Sequence, residues 1–382
     1  MNILFVHEIS YLRDPVWEWH QLADLLSLRG HNIYTIDYGA TRYRETDIAR
    51  VYPNAKVHLI RPPSFVLGRL GYSFTYYSVV DKVLREHKID AVILYSAPTN
   101  GWQTITAAKR LRIPVVFRSI DVLQKLVPKA LALPTKLAES WVYRHVDKIL
   151  TITPALSRYV VSLGANPAKV KILPLGIDLQ TLPGALWRNS DGFWSQTGIS
   201  HPTMVFAGTL PLFSGLDALL EQMPGLVTRI PNLRLLIVGD GIQRPKLERM
   251  IQELSLGDCV KITGMVPHEN VPKWIATADI GVLTFPVSGA TRDIFPTKVL
   301  QYMACRKPVV ANPLPGLMDF GLGQEQGVVY VRDGDWASAI QYALADREWL
   351  GKRAREYVEQ EHGYNRIVSR LERELEVLCE SR

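Results

Sequence analysis

The chain has 382 residues, of which 47% are hydrophobic and 21% charged, and a formal net charge of +7. These proportions exclude a disordered or fibrous chain, and no run approaches the roughly 18 uninterrupted apolar residues that cross a bilayer. The length suffices for two domains of ordinary size, each with its own core.

The charge is unevenly shared: residues 1–180 carry 23 Lys+Arg against 14 Asp+Glu, and the remainder carry 21 against 23. A basic first half suits an acidic partner, such as a phospholipid surface, a lipid phosphate or an anionic glycan. A merely solvated basic surface is the plainer alternative. No nucleic-acid partner is expected, because no recognition motif accompanies the charge. Three cysteines, Cys259, Cys305 and Cys379, lie far apart with no metal-ligand spacing. They suggest a reduced, cytoplasmic compartment. The chain runs from Met1 straight into strand-like Asn2-Ile-Leu-Phe-Val6, so no secretory signal is expected.

In chain order, strands are predicted at 3–6, 32–36, 57–60, 91–95, 114–117, 148–152 and 170–173. Helical patterns at 16–28, 77–86, 102–111, 138–145 and 154–163 separate most of them. Continuous Val/Ile/Leu strands with helices between them indicate a parallel sheet covered on both faces. The pattern repeats, with strands at 204–206, 234–238, 259–262, 280–283, 308–310 and 327–331 and a charged amphipathic pair over 336–379. The expected fold is α/β, two Rossmann-like domains facing across a cleft. The expected division is 1–178, a Gly/Ser/Asn/Thr/Pro-rich linker at 179–201, a second domain at 202–360, and a helix at 361–382 packing back toward the first domain.

The most informative stretch is Phe295-Pro-Thr-Lys-Val-Leu-Gln-Tyr-Met-Ala-Cys-Arg-Lys-Pro-Val-Val310-Ala, followed by Asn312-Pro-Leu-Pro-Gly316. It reads as a loop, a short helix opened by Pro296, and a buried strand. Proline just inside a helix start forfeits no hydrogen bond. The first-turn N–H groups of Thr297, Lys298 and Val299 then form an anion site to which Lys298 adds a mobile charge.

Other landmarks lie around it in order. They are Asp147-Lys-Ile-Leu-Thr-Ile-Thr-Pro-Ala-Leu-Ser-Arg-Tyr159, Lys171-Ile-Leu-Pro-Leu-Gly-Ile-Asp178, Val205-Phe-Ala-Gly-Thr209 with Gly215-Leu-Asp-Ala-Leu-Leu220, and Leu236-Ile-Val-Gly-Asp-Gly241, with Ile262-Thr-Gly-Met-Val266 and Ala278-Asp-Ile-Gly-Val282 completing the last. Together these segments resemble the family 4 retaining glycosyltransferases of the GT-B fold. The resemblance implies a metal-independent enzyme moving a sugar from a nucleoside-diphosphate donor, with no cofactor and no metal site. The acceptor would be lipid-linked or a glycan, as in cell-surface polysaccharide or glycolipid assembly. The location would be cytoplasmic, peripheral at the inner face of the plasma membrane.

Carried over residue by residue, the resemblance places Lys298, Thr297, Arg292, Gly208 and Thr209 at the donor diphosphate. Gln301, Gly239, Gly264, Met265 and Val266 fall at ribose and base, with Asp240 beside them as either neighbour or turn residue. Where the family has an Arg/Lys clamp, this chain has Thr209 and Ser214. Where it has two glutamates eight positions apart, this chain has Asp293 and Gln301. The resemblance is therefore to a subfamily that holds its diphosphate from Pro-Thr-Lys and Arg292. Catalytic candidates are Asp293 and, after the strand at 114–117, Arg118 and Asp121, the last equally suited to capping a helix. On the acceptor side His7, Glu8, Ser10 and Arg13 follow the first strand, without the Gly pair frequent in the family.

Two rival readings accompany this one: a non-catalytic relative that binds nucleotide or glycan and supports a partner transferase, and a nucleotide-sugar epimerase. Finally, a helix over 122–136 would gather Lys125, Lys129 and Lys136 on one side. Leu123, Leu126, Val127, Ala130, Leu131 and Leu133 would take the other, the pattern of an interfacial helix interrupted by Pro128 and Pro134.

Overall fold

The structure is a computed structural model, and it describes residues 1–7, 11, 18–36, 52, 54–60, 68–179, 202–267, 270–289 and 291–381. The chain divides into two compact units, Met1–Leu175 with Tyr364–Arg382, and Gly176–Gly363.

The first unit holds seven strands: β1 (Asn2–Val6), β2 (Asn32–Ile36), β3 (Val57–Ile60), β4 (Ala91–Leu94), β5 (Val115–Ser119), β6 (Lys148–Thr151) and β7 (Val170–Ile172). They form one parallel sheet in the order β3-β2-β1-β4-β5-β6-β7. Its helices are α1 (Glu18–Leu28), α2 (Gly68–Glu86), α3 (Gly101–Arg110), α4 (Lys129–His145) and α5 (Pro154–Ser162). Strands buried on both faces must be apolar throughout, and Ala91-Val-Ile-Leu94 is buried at every position.

The second unit repeats the plan. Strands β8 (Thr203–Ala207), β9 (Arg234–Val238), β10 (Val260–Ile262), β11 (Ile280–Leu283), β12 (Val309–Ala311) and β13 (Val328–Tyr330) form a parallel sheet in the order β10-β9-β8-β11-β12-β13. Around it lie α6 (Leu216–Arg229), α7 (Arg244–Glu253), α8 (Val271–Ala276), α9 (Thr297–Ala304), α10 (Pro315–Met318), α11 (Trp336–Ala345) and α12 (Arg347–Glu361). In both sheets the order reverses at one point, between β1 and β4 and between β8 and β11. Ligands of open α/β sheets gather beyond the strand ends at such a reversal.

The last helix, α13 (Tyr364–Glu380), belongs to the first unit. Its buried face, including Ile367, Val368, Leu371 and Leu375, joins the core formed by Phe5, Leu22 and Ile93. Ion pairs tie its outer edge down, with Glu372 meeting Arg29 at 3.0 Å and Glu374 meeting Lys171 at 2.6 Å.

Two expectations are corrected here. The single helix over 122–136 does not form: Leu123–Lys125 is a 3-10 turn, and α4 begins only after Pro128. Lys125 therefore shares no helix with Lys129 and Lys136. Pro296 is the N-cap of α9 rather than its first helical residue, with ψ at 120°.

Candidate functional site

The most crowded backbone of the second unit lies beyond the ends of β8 and β9. The Gly208 N–H donates to Val238 O at 2.9 Å, and the Leu210 N–H to Asp240 O at 3.0 Å. A Cβ at Gly239, which has φ +147°, would lie 2.0 Å from Gly208 O. Only glycine permits that approach. A backbone bridge between Gly239 and Gly264 draws the end of β10 into the same spot. Thus Gly208, Gly239 and Gly264, far apart in sequence, form one floor, and a shallow pocket beside it is lined by Thr209, Leu210, Asp240, Gly241, Ile242 and Met265.

From the other side of the β8/β11 reversal, α9 brings Lys298. Its stem is half-buried, while its Nζ is shut off from solvent and has no hydrogen-bond partner. The Nζ lies 3.5 Å from the centre of the Phe206 ring and 4.9 Å from that of Phe285. A Cβ at Gly208 would stand 3.2 Å from it. Burial without a compensating anion pushes the Lys298 pKa down to about 7. Aromatic faces stabilise an ammonium only partly.

Asn312-Pro-Leu-Pro-Gly316 holds the loop between β11 and α9 in place. Asn312 Nδ2 donates to Thr284 O at 2.9 Å and to Phe285 O at 3.1 Å. The Gly316 N–H donates to Arg292 O at 2.8 Å, and a Cβ at Gly316 would lie 2.2 Å from Ile294 O. Arg292 and Asp293 stand on this loop, both exposed and 3.9 Å apart in a loose pair. Their side chains do not close on Lys298 as the sequence led us to expect of Arg292. Thr209, Thr297 and Met265 are exposed, and Gln301 and Val266 half-buried. The Val299 N–H is taken by Pro296 O at 3.0 Å, so the free first-turn donors reduce to Thr297 and Lys298.

Ser214, in the place of the family's clamp lysine, is fully buried and bonded to Gln243 Oε1 at 2.5 Å, where it serves the turn into α6. Sequence reasoning missed Arg244, whose Nη1 lies 2.7 Å from Asp240 Oδ2 and would be 2.8 Å from a Cβ at Gly264. Its signal, an i,i+4 arrangement with Asp240 on one side and Glu248 on the other, reads from sequence as ordinary helix surface. The sequence also contains an Asp-x-Asp triplet, Asp333-Gly334-Asp335. Asp335 caps α11 by accepting from the Ser338 N–H at 3.1 Å and pairs with Arg229. Its carboxyl is held below the usual range chiefly by the Ser338 hydroxyl.

In the first unit, Arg118 is corrected from catalytic candidate to structural residue. It is almost wholly buried, pairs with Glu18 of α1, and donates from Nη1 to Leu173 O at 2.5 Å and from Nη2 to Pro174 O at 3.3 Å. Every donor faces protein, so none is left for substrate. His7 is also buried, with Nε2 at 2.9 Å from Thr35 Oγ1 and its ring stacked 3.5 Å from Trp19. Asp121 is exposed at the end of β5, with its carboxyl pKa raised by the chain crowding it. Glu8, Ser10 and Arg13 lie outside the described residues.

Comparison with known proteins agrees with this geometry. Residues 19–181 match the family described as Glycosyltransferase Family 4, and residues 201–346 match Glycosyl transferases group 1. A GDP-mannose-dependent alpha-(1-6)-phosphatidylinositol monomannoside mannosyltransferase from Mycolicibacterium smegmatis is 30% identical over 213 residues, covering 53% of this chain and 54% of that protein. The chain thus spans little more than half the length of that relative. Alpha-monoglucosyldiacylglycerol synthase from Streptococcus pneumoniae is 22% identical over 84% of this chain and 72% of its own. Among solved structures, HepE from Anabaena in complex with UDP superposes with a TM-score of 0.74 at 16% identity, covering 99% of this chain and 100% of that one. The superposition establishes the fold.

Proposed function

Because the chain belongs to the glycosyltransferases, with a Family 4 domain followed by a group 1 domain, we propose that it transfers a sugar from a nucleoside-diphosphate donor to a lipid-linked or glycan acceptor. The reaction retains anomeric configuration and needs no metal. The observation that carries the reading is the Lys298 ammonium, shut off from solvent without a partner at the sheet reversal. A buried cation with no counter-charge is costly, and a site that keeps one is complete only when an anion arrives.

In this reading the diphosphate lies over Gly208, where the absence of a side chain leaves room beside the Lys298 Nζ. The first-turn N–H groups of α9 face the same anion. Gln301 serves the ribose, and backbone groups of Met265 and Val266 serve the base. The bond from the anomeric carbon to the diphosphate oxygen breaks as the acceptor oxygen bonds that carbon on the same face. The acceptor proton passes to the departing diphosphate. Lys298 stabilises the charge that grows on that group, and Asp293 stands on the loop beside the sugar. The names of the two relatives, one acting with phosphatidylinositol monomannoside and one forming a glucosyldiacylglycerol, support a lipid-linked acceptor.

Calorimetric titration with UDP, GDP, ADP and TDP, beside a Lys298→Met variant, tests this. Binding of one nucleotide, weakened about tenfold to a hundredfold in the variant, is the expected result for loss of a charge-assisted contact. Equal binding by both proteins would remove Lys298 from the site, and binding of none would favour the non-catalytic reading.

A further inference from the structure

The two strands that flank the reversal in the second unit pair only at their start. Met204 and Val205 of β8 lie beside Ile280 and Gly281 of β11, and the ladder ends there. Yet β8 runs on to Ala207 against β9, and β11 to Leu283 against β12. A side chain of α9 fills the parting. Tyr302 is fully buried, and a Cβ at Gly281 would stand 2.4 Å from its ring carbons Cγ and Cδ2. Glycine at position 281 is what admits the ring.

The phenol also completes the sheet. N–H groups alternate sides along a strand, and Gly208 donates to Val238 O on the β9 side at 2.9 Å. The Ala207 N–H therefore points toward β11, past the end of their ladder. It donates to Tyr302 Oη at 2.7 Å. A buried amide left unpaired is costly, so this bond holds α9 to the end of β8. Burial pushes the Tyr302 phenol pKa up, and the oxygen stays a neutral hydroxyl.

Lys298 stands one turn before Tyr302 on the same face of α9. Its Nζ lies over the ring of Phe206, the residue before Ala207. Adjacent residues of β8 thus meet α9 side chains one turn apart: Phe206 takes Lys298, and Ala207 takes Tyr302. Among the described residues nothing hydrogen-bonds to the Lys298 amine. Arg292 and Asp293 on the preceding loop are exposed and pair loosely with each other, and Arg355 of α12 donates to Ala304 O at the far end of α9. No bond of its own keeps the amine in place.

We infer that Tyr302 is a positioning residue for Lys298: it keeps β8 and β11 apart and fixes α9 so that the amine stands beside Gly208. Tyr302 touches no substrate and acts through Lys298. Its part in nucleotide binding rests on the donor reading, whereas its hold on the amine does not.

NMR titration of the lysine side chains in the ligand-free protein tests this in wild type and Tyr302→Phe, with Lys298→Met identifying the Lys298 signal. The Phe variant keeps the ring and removes only the oxygen. Wild-type Lys298 is expected to titrate at about 7. In Tyr302→Phe water reaches the amine, and its proton affinity is expected to rise at least about tenfold. Calorimetric affinity for whichever of UDP, GDP, ADP and TDP the wild type binds is expected to fall about fivefold to thirtyfold. A second variant, Tyr302→Leu with Gly281→Ala, refills the gap with aliphatic carbon and keeps the test decisive if the first does not fold. It is expected to show the same rise and the same loss. A Lys298 titration unchanged in either folded variant overturns the inference even where the unfolding temperature drops, because Tyr302 would then serve stability alone. So does a wild-type Lys298 that titrates like a surface lysine. Absence of nucleotide binding by the wild type would remove the donor reading, and the Lys298 titration would still decide the role of Tyr302.

Discussion

Lys298 Nζ stands 3.5 Å above the centre of the Phe206 ring, one residue of α9 against one residue of β8, with no oxygen within hydrogen-bonding reach. Stability would be better served by methionine here, which fills the same space without a charge. The arrangement is a local conflict of the kind that folds keep at functional sites.

Lys298→Met is therefore expected to raise stability by about 1–3 kcal/mol near neutral pH, the range for relieving an unsatisfied buried polar group. Chemical denaturation of the two proteins measures it. The folded-state pKa of about 7 lies below the ordinary lysine value. Between about pH 7 and pH 10 the unfolded chain holds more protons, so wild-type stability rises with pH across that window. The advantage of the variant shrinks correspondingly. A variant less stable than wild type at neutral pH would mean that the ammonium has a native partner.

A bound diphosphate favours the protonated amine, so binding takes up a proton wherever the free site is neutral. Nucleotide affinity is expected to fall as pH rises from about 7 to 9, by up to tenfold per unit. Titrations in buffers of different ionisation enthalpy would show the proton uptake directly. The same series in Lys298→Met is expected to be flat over that range.

Gly239→Ala is expected to cost more than about 3 kcal/mol, because the new Cβ would fall 2.0 Å from Gly208 O in a backbone conformation unsuited to alanine. Gly257→Ala, where a Cβ meets nothing within 4 Å, is the control and should change stability by under about 0.5 kcal/mol. Thermal unfolding of the two variants distinguishes a packed glycine floor from a loose one.

Arg118→Ala is expected to destabilise the first unit by about 3–5 kcal/mol, because it strands Glu18 in the interior. Replacing both residues together, Arg118→Met with Glu18→Gln, should cost much less. If Arg118 acted on substrate instead, activity would collapse in the double variant while stability held.

All thirteen strands named above were legible in the sequence within a residue or two at each end. Central strands such as β4 were legible because burial on both faces demands apolar residues throughout, and the partly exposed edge strands β3 and β7 only as short Val/Ile runs that still admit His58 and Lys171. The convergence of three glycines was legible as well. Gly208, Gly239 and Gly264 are each the first glycine after an apolar run, and such positions converge when the strands pair side by side. Arg118 misled for a definite reason: a charged residue ending a buried strand looks functional from sequence. Its partner Glu18 lies one hundred positions away on α1, which no local pattern reveals. Arg292 misled for the opposite reason, since proximity to Lys298 in sequence does not fix where a loop side chain points. The α4 surface was half legible. Its composition was visible, but the helix starts after Pro128 and runs unbroken through Pro134 to His145, joining two segments that the sequence reading kept apart.

The return of α13 to the first unit has a consequence for how the chain is made. The sheet that begins with the first strand lacks part of its covering until the final helix leaves the ribosome, after the whole of the second unit has been synthesised. Ile3, Phe5, Trp19 and Leu22 share a core with residues of α13 and wait for them in the growing chain. The unit that starts first is finished last.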